Sequence, residues 1–217
     1  DYLAISNGSL HGTYDPSAGQ MEGIDLGRTK EIADAIAPYG VSIAQHGISG
    51  TPLHKVSTFR KYGIRKGNVA TLFQNVYFGI KMDPETGNAV IENGSYVKDA
   101  DRGISMELWN EITAAGDEKG MSRKSGDYKK LNISFCDKIL AEPKAIIDRT
   151  VDEMTWWAER FITAFGAEDS ADAVAAVMSR RTDHNASPER AVLGKRCYYT
   201  ADNAPGHGGN DGKNYDD

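Results

Sequence analysis

Cysteine is nearly absent. Only Cys136 and Cys197 occur in 217 residues, and they share no CxxC spacing. That excludes a disulfide-dense scaffold and a thiolate metal knuckle, and two widely separated thiols read as reduced residues of a cytoplasmic protein. Long apolar runs are also missing. No stretch approaches the roughly 20 residues that a membrane span requires, and no signal-peptide pattern opens the chain. Nor is there an excess of positive charge: 31 acidic residues against 25 basic ones give a formal net charge of -6. That balance offers no electrostatic footprint for nucleic acid, and an anionic substrate would need locally placed donors rather than a global field. No solenoid-type repeat is visible. An initiating Met is lacking too, and Asp1-Tyr2-Leu3-Ala4-Ile5 reads as a strand already under way. The chain is therefore expected to be the C-terminal part of a longer protein.

What is present is an alternation of strands and helices over residues 1–82. Leu3-Ala4-Ile5 forms a short apolar run that stops at Ser6-Asn7-Gly8. Arg28 to Ala37 reads as a helix with Ile32, Ala33 and Ile36 on one face, closed by Pro38-Tyr39-Gly40. Val41 to Ala44 is the next strand. Thr51-Pro52 reads as a helix start, with Thr as the cap and Pro at the first position, and Leu53, Val56 and Phe59 face inward. A third strand runs from Gly63 to about Asn68, and a third helix buries Leu72, Phe73, Val76, Tyr77 and Ile80. This order implies parallel strands with right-handed crossovers, at the roughly 30 residues per unit of a (β/α)₈ barrel. Residues 83–102 carry turn signals at Asp83-Pro84, Thr86-Gly87 and Asn93-Gly94, and read as an insertion or hairpin loop. Residues 103–180 read as a helical extension: a helix over 103–115, a polar loop, a helix over 127–140, and then the strongest helix, opened by Pro143. Its inner face is expected to hold Ile147, Val151, Met154, Phe161, Ile162 and Phe165. A shorter helix follows near Ala171–Met178. Residues 181–217 are poor in apolar side chains and read as a disordered tail. His207, in that tail, is not expected to be a ligand.

Chemistry gathers at three strand ends: Ser9-Leu10-His11-Gly12, Gln45-His46-Gly47-Ile48-Ser49-Gly50-Thr51 and Lys66-Gly67-Asn68-Val69-Ala70-Thr71. In a parallel barrel all three lie on the C-terminal face, where active sites are built. His11 and His46 come from neighbouring strands, so their imidazoles can converge on one divalent ion as two of its protein ligands. Gly12 and Gly47 let a ligand approach the main chain closely. Ala70 and Thr71 open a helix whose N-terminus attracts anions. The combination suits a phosphorylated carbonyl compound. Taken singly, a His after a strand is more often structural, and a Gly-rich turn is common; the weight lies in the three motifs together.

Those motifs, SLHGTY, IAQHGISGTP and GIRKGNVATLFQN, resemble the sixth, seventh and eighth strand ends of class II (zinc-dependent) fructose-bisphosphate aldolases and of related ketose-phosphate aldolases. The resemblance covers residues 1–82 well and continues loosely through the C-terminal helices. It implies an α/β fold: the C-terminal portion of a (β/α)₈ TIM barrel, about its last three β/α units, plus C-terminal helices. It implies Zn²⁺, or another divalent metal, held by His11 and His46. It implies phosphate binding at Gly12, Gly47 and Ser49, a catalytic, substrate-contacting role for Asn68, and following main-chain donors at Ala70 and Thr71. The implied reaction is cleavage of a phosphorylated ketose, such as fructose- or tagatose-bisphosphate, to dihydroxyacetone phosphate and an aldehyde. A homo-oligomer in the full-length protein, with the 83–102 segment against a second subunit, is a further implication.

Three positions depart from the family pattern. Asp15 stands where a Lys is usual, and a carboxylate beside a phosphate repels it unless a cation intervenes. Ile48 replaces a Gly, and Ala70 replaces an Asp. The resemblance also implies a third zinc His, a catalytic Asp and a Glu on earlier strands, none of which has a counterpart in this chain. Two other readings stay open: a sugar-phosphate isomerase or epimerase on the same barrel, and an inactive barrel that serves as a binding module.

Overall fold

The computed structural model describes residues 1–20, 23–124 and 126–179. The three apolar runs form strands β1 (Tyr2–Ala4), β2 (Ser42–Gln45) and β3 (Ile64–Gly67), which lie side by side in that order. Both pairings are parallel, with Leu3 opposite Ile43 and Gln45 opposite Gly67, and the β2–β3 register shifts between Ile43 and Ala44. Parallel neighbours need a crossover, and helices supply it. Helix α1 (Leu26–Ile36) joins β1 to β2; α2 (Leu53–Val56) and a 3₁₀ turn (Phe59–Tyr62) join β2 to β3; α3 (Thr71–Phe78) follows β3. The sheet is open rather than a closed barrel among the described residues. Its β1 edge leaves Tyr2 58% and Leu3 41% exposed.

Local chemistry explains most of these boundaries. Asp25 caps α1 by accepting the Arg28 backbone N–H at 2.9 Å, which satisfies one of the orphan donors of a first turn. The expected cap at Thr51 is displaced by one residue. Pro52 is the cap of α2, and the Thr51 hydroxyl is buried without a hydrogen-bond partner. With only four residues, α2 relies on Val56 and Leu53 packing against the core rather than on its cap.

Two apolar clusters divide the molecule. The first joins Ile43 and Ile64 of the sheet to Ile48, Val56, Phe59, Leu72, Val76, Trp157 and Phe161. The second gathers Phe78, Ile80, Ala89, Tyr96, Leu108, Trp109, Ile112, Tyr128 and Leu131. Helix α3 feeds both, Leu72 and Val76 entering the first and Phe78 the second. Strands β4 (Ile91–Glu92) and β5 (Ser95–Tyr96) pair antiparallel around Asn93 and Gly94, whose φ values of 49° and 73° are those of a tight hairpin turn. Ala89 and Tyr96 are buried, so this hairpin is part of the second core rather than a solvated loop.

Helix α4 (Met106–Glu118) is capped by Ser105, whose hydroxyl accepts the Leu108 N–H at 3.2 Å. The helix expected over 127–140 is instead a 3₁₀ segment (Gly126–Leu131) and a short α5 (Cys136–Leu140). Tyr128 and Leu131, three apart, are both fully buried, and side chains at that spacing eclipse in a 3₁₀ turn. Cys197, the other cysteine, lies outside the described residues.

Helix α6 (Lys144–Phe165) packs on α2 and α3. Its expected inner face is corrected in part. Met154, Phe161 and Phe165 do meet the first core, but the line continues through Thr150, Trp157 and Ala164. Ile147, Val151 and Ile162 face outward at 39%, 52% and 46% exposure. Two adjacent lines on this helix are apolar, and the one carrying the bulky Trp157 is buried. Helix α7 (Ala171–Met178) follows. No helix among the described residues is long and apolar enough to cross a membrane. His207 and the expected tail over 181–217 lie outside the described residues.

Candidate functional site

The loop after β1 is tied to the end of β2 by a pair of buried amides. Asn7 Nδ2 donates to Gln45 Oε1 at 2.8 Å, and Gln45 Nε2 donates back to Asn7 Oδ1 at 3.1 Å. Gln45 Nε2 also donates to the His46 carbonyl at 2.7 Å, and Asn7 Nδ2 to Thr29 Oγ1 of α1 at 2.8 Å. Both side chains are almost fully buried, and a buried amide left unpaired costs the desolvation of its polar atoms. The pair therefore fixes where the first loop lies relative to the second.

Gly47 completes the juxtaposition. A Cβ there would lie 2.4 Å from the Leu10 carbonyl oxygen and 3.0 Å from Ser9 Cβ, and its φ is 64°. Only Gly lets the Ser9–Leu10 backbone settle directly over the second loop. As a result His11 and His46 face one another, ring centroids 5.6 Å apart and planes inclined by 51°. An imidazole bound through one nitrogen puts its centroid roughly 3.1 Å from a zinc ion, so two rings at a tetrahedral angle sit about 5 Å apart. The observed separation suits two ligands of one ion. His46 has its pKa lowered by burial first, then by His11 and Lys66, which favours the neutral ring that a metal needs. Among the described residues no group of three or more His, Cys, Asp or Glu could hold a metal ion. The donor set here fits as two-thirds of a three-ligand catalytic site.

Asn68 stands beside this pair. Its backbone N–H donates to the Gln45 carbonyl at 3.0 Å, continuing the sheet ladder one residue past β3. Its Nδ2 lies 3.1 Å from His46 Nε2 and 3.3 Å from Nδ1, while Lys66 Nζ donates to its Oδ1 at 2.6 Å. Ser49 is placed differently from expectation. It is buried, and its Oγ accepts the Leu72 N–H at 3.0 Å. Helix α3 begins at Ala70, which has no capping side chain, so Ser49 caps it from the neighbouring loop. The Ser49 hydroxyl keeps its proton to donate, but one of its lone pairs is taken.

A cleft of about 170 Å³ collects the residues singled out from the sequence: His11, Gly12, His46, Gly47, Ser49, Asn68, Ala70 and Thr71. Ile48 and Lys129 line it as well. Ile48 is fully buried and belongs to the first core, so the Gly-to-Ile departure points inward and does not fill the cleft. Lys129 was missed. In sequence it is one Lys of a polar run, and only the burial of its neighbours Tyr128 and Leu131 brings it to the site. Asp15 is buried, is not among the residues that line the cleft, and forms an ion pair with Lys124, so the expected repulsion has its cation. The 83–102 region reaches the site from outside: Asn88 Oδ1 accepts the Tyr14 N–H at 2.9 Å, and Asn88 Nδ2 donates to the Tyr14 carbonyl at 2.8 Å. That amide clamp holds the far side of the His11 loop.

A family model described as fructose-bisphosphate aldolase class-II matches residues 1–170. The chain belongs to the class II fructose-bisphosphate aldolase family. It is 27% identical over 128 residues to fructose-bisphosphate aldolases of two strains of Streptococcus pneumoniae, covering 54% of this chain and 42% of each relative. It is 29% identical over 127 residues to the fructose-bisphosphate aldolase of Corynebacterium glutamicum, covering 49% of this chain and 36% of that relative. The chain thus matches less than half the length of these curated relatives. No solved structure matches it significantly.

Proposed function

We propose that the protein of which this chain is part is a metal-dependent class II aldolase that cleaves a phosphorylated ketose, such as fructose- or tagatose-bisphosphate, to dihydroxyacetone phosphate and an aldehyde. In this reading the three parallel strands are the last three of a (β/α)₈ barrel, with the site at their C-terminal ends. One observation carries the proposal: two imidazoles 5.6 Å apart share a cleft with glycine backbone, the start of a helix and a lysine.

His11 and His46 hold the metal, with zinc the ion that best suits two imidazoles and an open position. When bound there, zinc supplies Lewis acidity toward the ketose carbonyl. The remaining roles fall to the chain's own groups. The backbone of Gly12 and Gly47, the main-chain donors at Ala70 and Thr71 and the Lys129 ammonium bind a phosphate and so orient the sugar. The Ser49 hydroxyl, with Leu72 N–H on its lone pair, is left as a donor to the same anion. Asn68 directs an N–H toward the oxygen that gains negative charge as the carbon–carbon bond breaks. Proton transfer belongs to a group outside this cleft, whose titratable side chains are two His and one Lys. A homo-oligomer belongs to the same reading, with the exposed Ile147, Val151 and Ile162 line of α6 as a face for it.

The test uses the full-length protein with His11→Ala and His46→Ala. Each variant is expected to lose stoichiometric zinc and to lower triose release on the order of 10³-fold. Near-normal turnover by either variant contradicts the ligand assignment. Ketose interconversion without triose release would favour an isomerase on the same scaffold, and absence of both zinc and turnover in the unaltered protein would favour a binding module.

A further inference from the structure

We propose that Lys66 is a positioning residue that locks the Asn68 amide, so that its N–H groups, and not its carbonyl, face the paired imidazoles and the cleft. The inference rests on the aldolase reading and deepens it. It names the group that decides whether Asn68 offers a donor or an acceptor to the substrate.

The argument is one of hydrogen-bonding capacity. A carboxamide has an acceptor end and a donor end of nearly equal size, and either could point into the cleft. Lys66 breaks the tie. Its ammonium carries three donors and no acceptor, so the atom at 2.6 Å from Nζ has to be Oδ1. The opposite orientation would set an NH₂ group against an NH₃⁺ group. Strand geometry makes the contact reliable: Lys66 lies in β3, Asn68 follows Gly67, and residues two apart on an extended chain share a face. The Asn68 backbone is held by its own ladder bond to Gln45, which leaves the side chain little freedom except rotation of the amide.

With Oδ1 anchored, Nδ2 is left 3.1 Å from His46 Nε2 and 3.3 Å from Nδ1. A neutral imidazole has one lone pair, so in the metal-free ring one amide hydrogen can be used there and the other is available to a ligand; with that lone pair on a metal, neither amide hydrogen has an acceptor on the ring and both are left for a ligand. The cleft therefore presents a donor fixed in advance. It favours a substrate oxygen that gains negative charge and disfavours an amine or ammonium at the same place. Lys66 itself is exposed on β3, and it is not among the residues that line the cleft. Apart from its charge, which acts on His46 directly, its effect on the cleft passes through Asn68.

Lys66→Met and Lys66→Arg in the full-length protein test this. Lys66→Met is expected to lower kcat for triose release on the order of 10- to 100-fold, the scale of losing an oriented donor. KM for the ketose should change less than about threefold, and zinc stoichiometry should stay unchanged. Lys66→Arg, which keeps the donor, should restore most of kcat. In the zinc-free protein, the Asn68 side-chain amide should show a nuclear Overhauser contact to the His46 ring that Lys66→Met loses. Wild-type kcat in Lys66→Met overturns the proposal, and so does a loss of zinc in step with activity, or an unchanged amide contact. If the unaltered protein cleaves no ketose, the aldolase reading fails on its own, and the amide contact still decides the role of Lys66.

Discussion

The strand-end loops and the C-terminal layer are built on opposite principles. Around the cleft, position is set by a few directional contacts: the Asn7–Gln45 amide pair, the Leu10 carbonyl against Gly47, and Ser49 capping α3. In the second core, position is set by bulk. Phe78, Trp109 and Tyr128 pack ring against ring, with centroids 5.4 to 6.5 Å apart. Directional contacts give atomic placement of His11, His46 and Asn68, which metal and substrate chemistry need. Bulk packing gives stability and delivers only Lys129 to the cleft. The site is therefore expected to be sensitive to single-atom changes that barely alter the fold, and the C-terminal layer to show the reverse.

The sharpest contrast is between Trp109→Ala and Gly47→Ala. Trp109→Ala removes a buried aromatic and is expected to cost about 3–5 kcal/mol in denaturant unfolding. Zinc affinity of the folded fraction should stay within about twofold, because neither imidazole touches that cluster. Gly47→Ala is expected to cost less stability, about 2–4 kcal/mol, from left-handed backbone strain and from overpacking against Leu10. It should nonetheless reduce zinc affinity on the order of 100-fold, since the first loop must lift away from the second. If calorimetry found zinc affinity intact in Gly47→Ala, the division between the two regions would collapse.

The smallest effect is electrostatic and belongs to the C-terminal layer. Burial, and then the Arg149 charge, pull the Lys98 ammonium down from its ordinary value to about 8. Between about pH 8 and pH 10.5 the unfolded chain holds a proton on Lys98 that the folded chain has released, so stability should rise with pH across that window. Lys98→Met should flatten the rise without changing zinc binding. A pH–stability curve identical in the two proteins would show that Lys98 is not the group responsible.

Much of the site was legible because its chemistry is local. Two His-Gly pairs and an Asn at the ends of apolar runs place donors on one edge of a parallel sheet, and β1, β2 and β3 lie where those runs stand. The hairpin was legible for a similar reason, since Asn93-Gly94 demands a left-handed turn. What could not be read depended on distant partners. Nothing near Asn7 announces Gln45, and nothing near Lys129 announces the cleft. The sequence marks Ser49 for the cleft, which it does line, but gives no sign that it also caps α3, whose own N-cap Ala70 has no capping side chain. Along α6, Ile147, Val151 and Ile162 are as apolar as their neighbours, and periodicity alone does not say which of two adjacent lines is buried. The Thr51 cap was misplaced by one residue because Pro52 keeps an extended ψ of 134° and the helix starts only at Leu53.

One measurement bears most directly on the account. Anomalous diffraction at the zinc edge from crystals of the full-length protein would locate the ion. One zinc with a His11 nitrogen and a His46 nitrogen each about 2.0–2.1 Å away is the predicted result. Zinc bound elsewhere, or held by only one of these two rings, would contradict it.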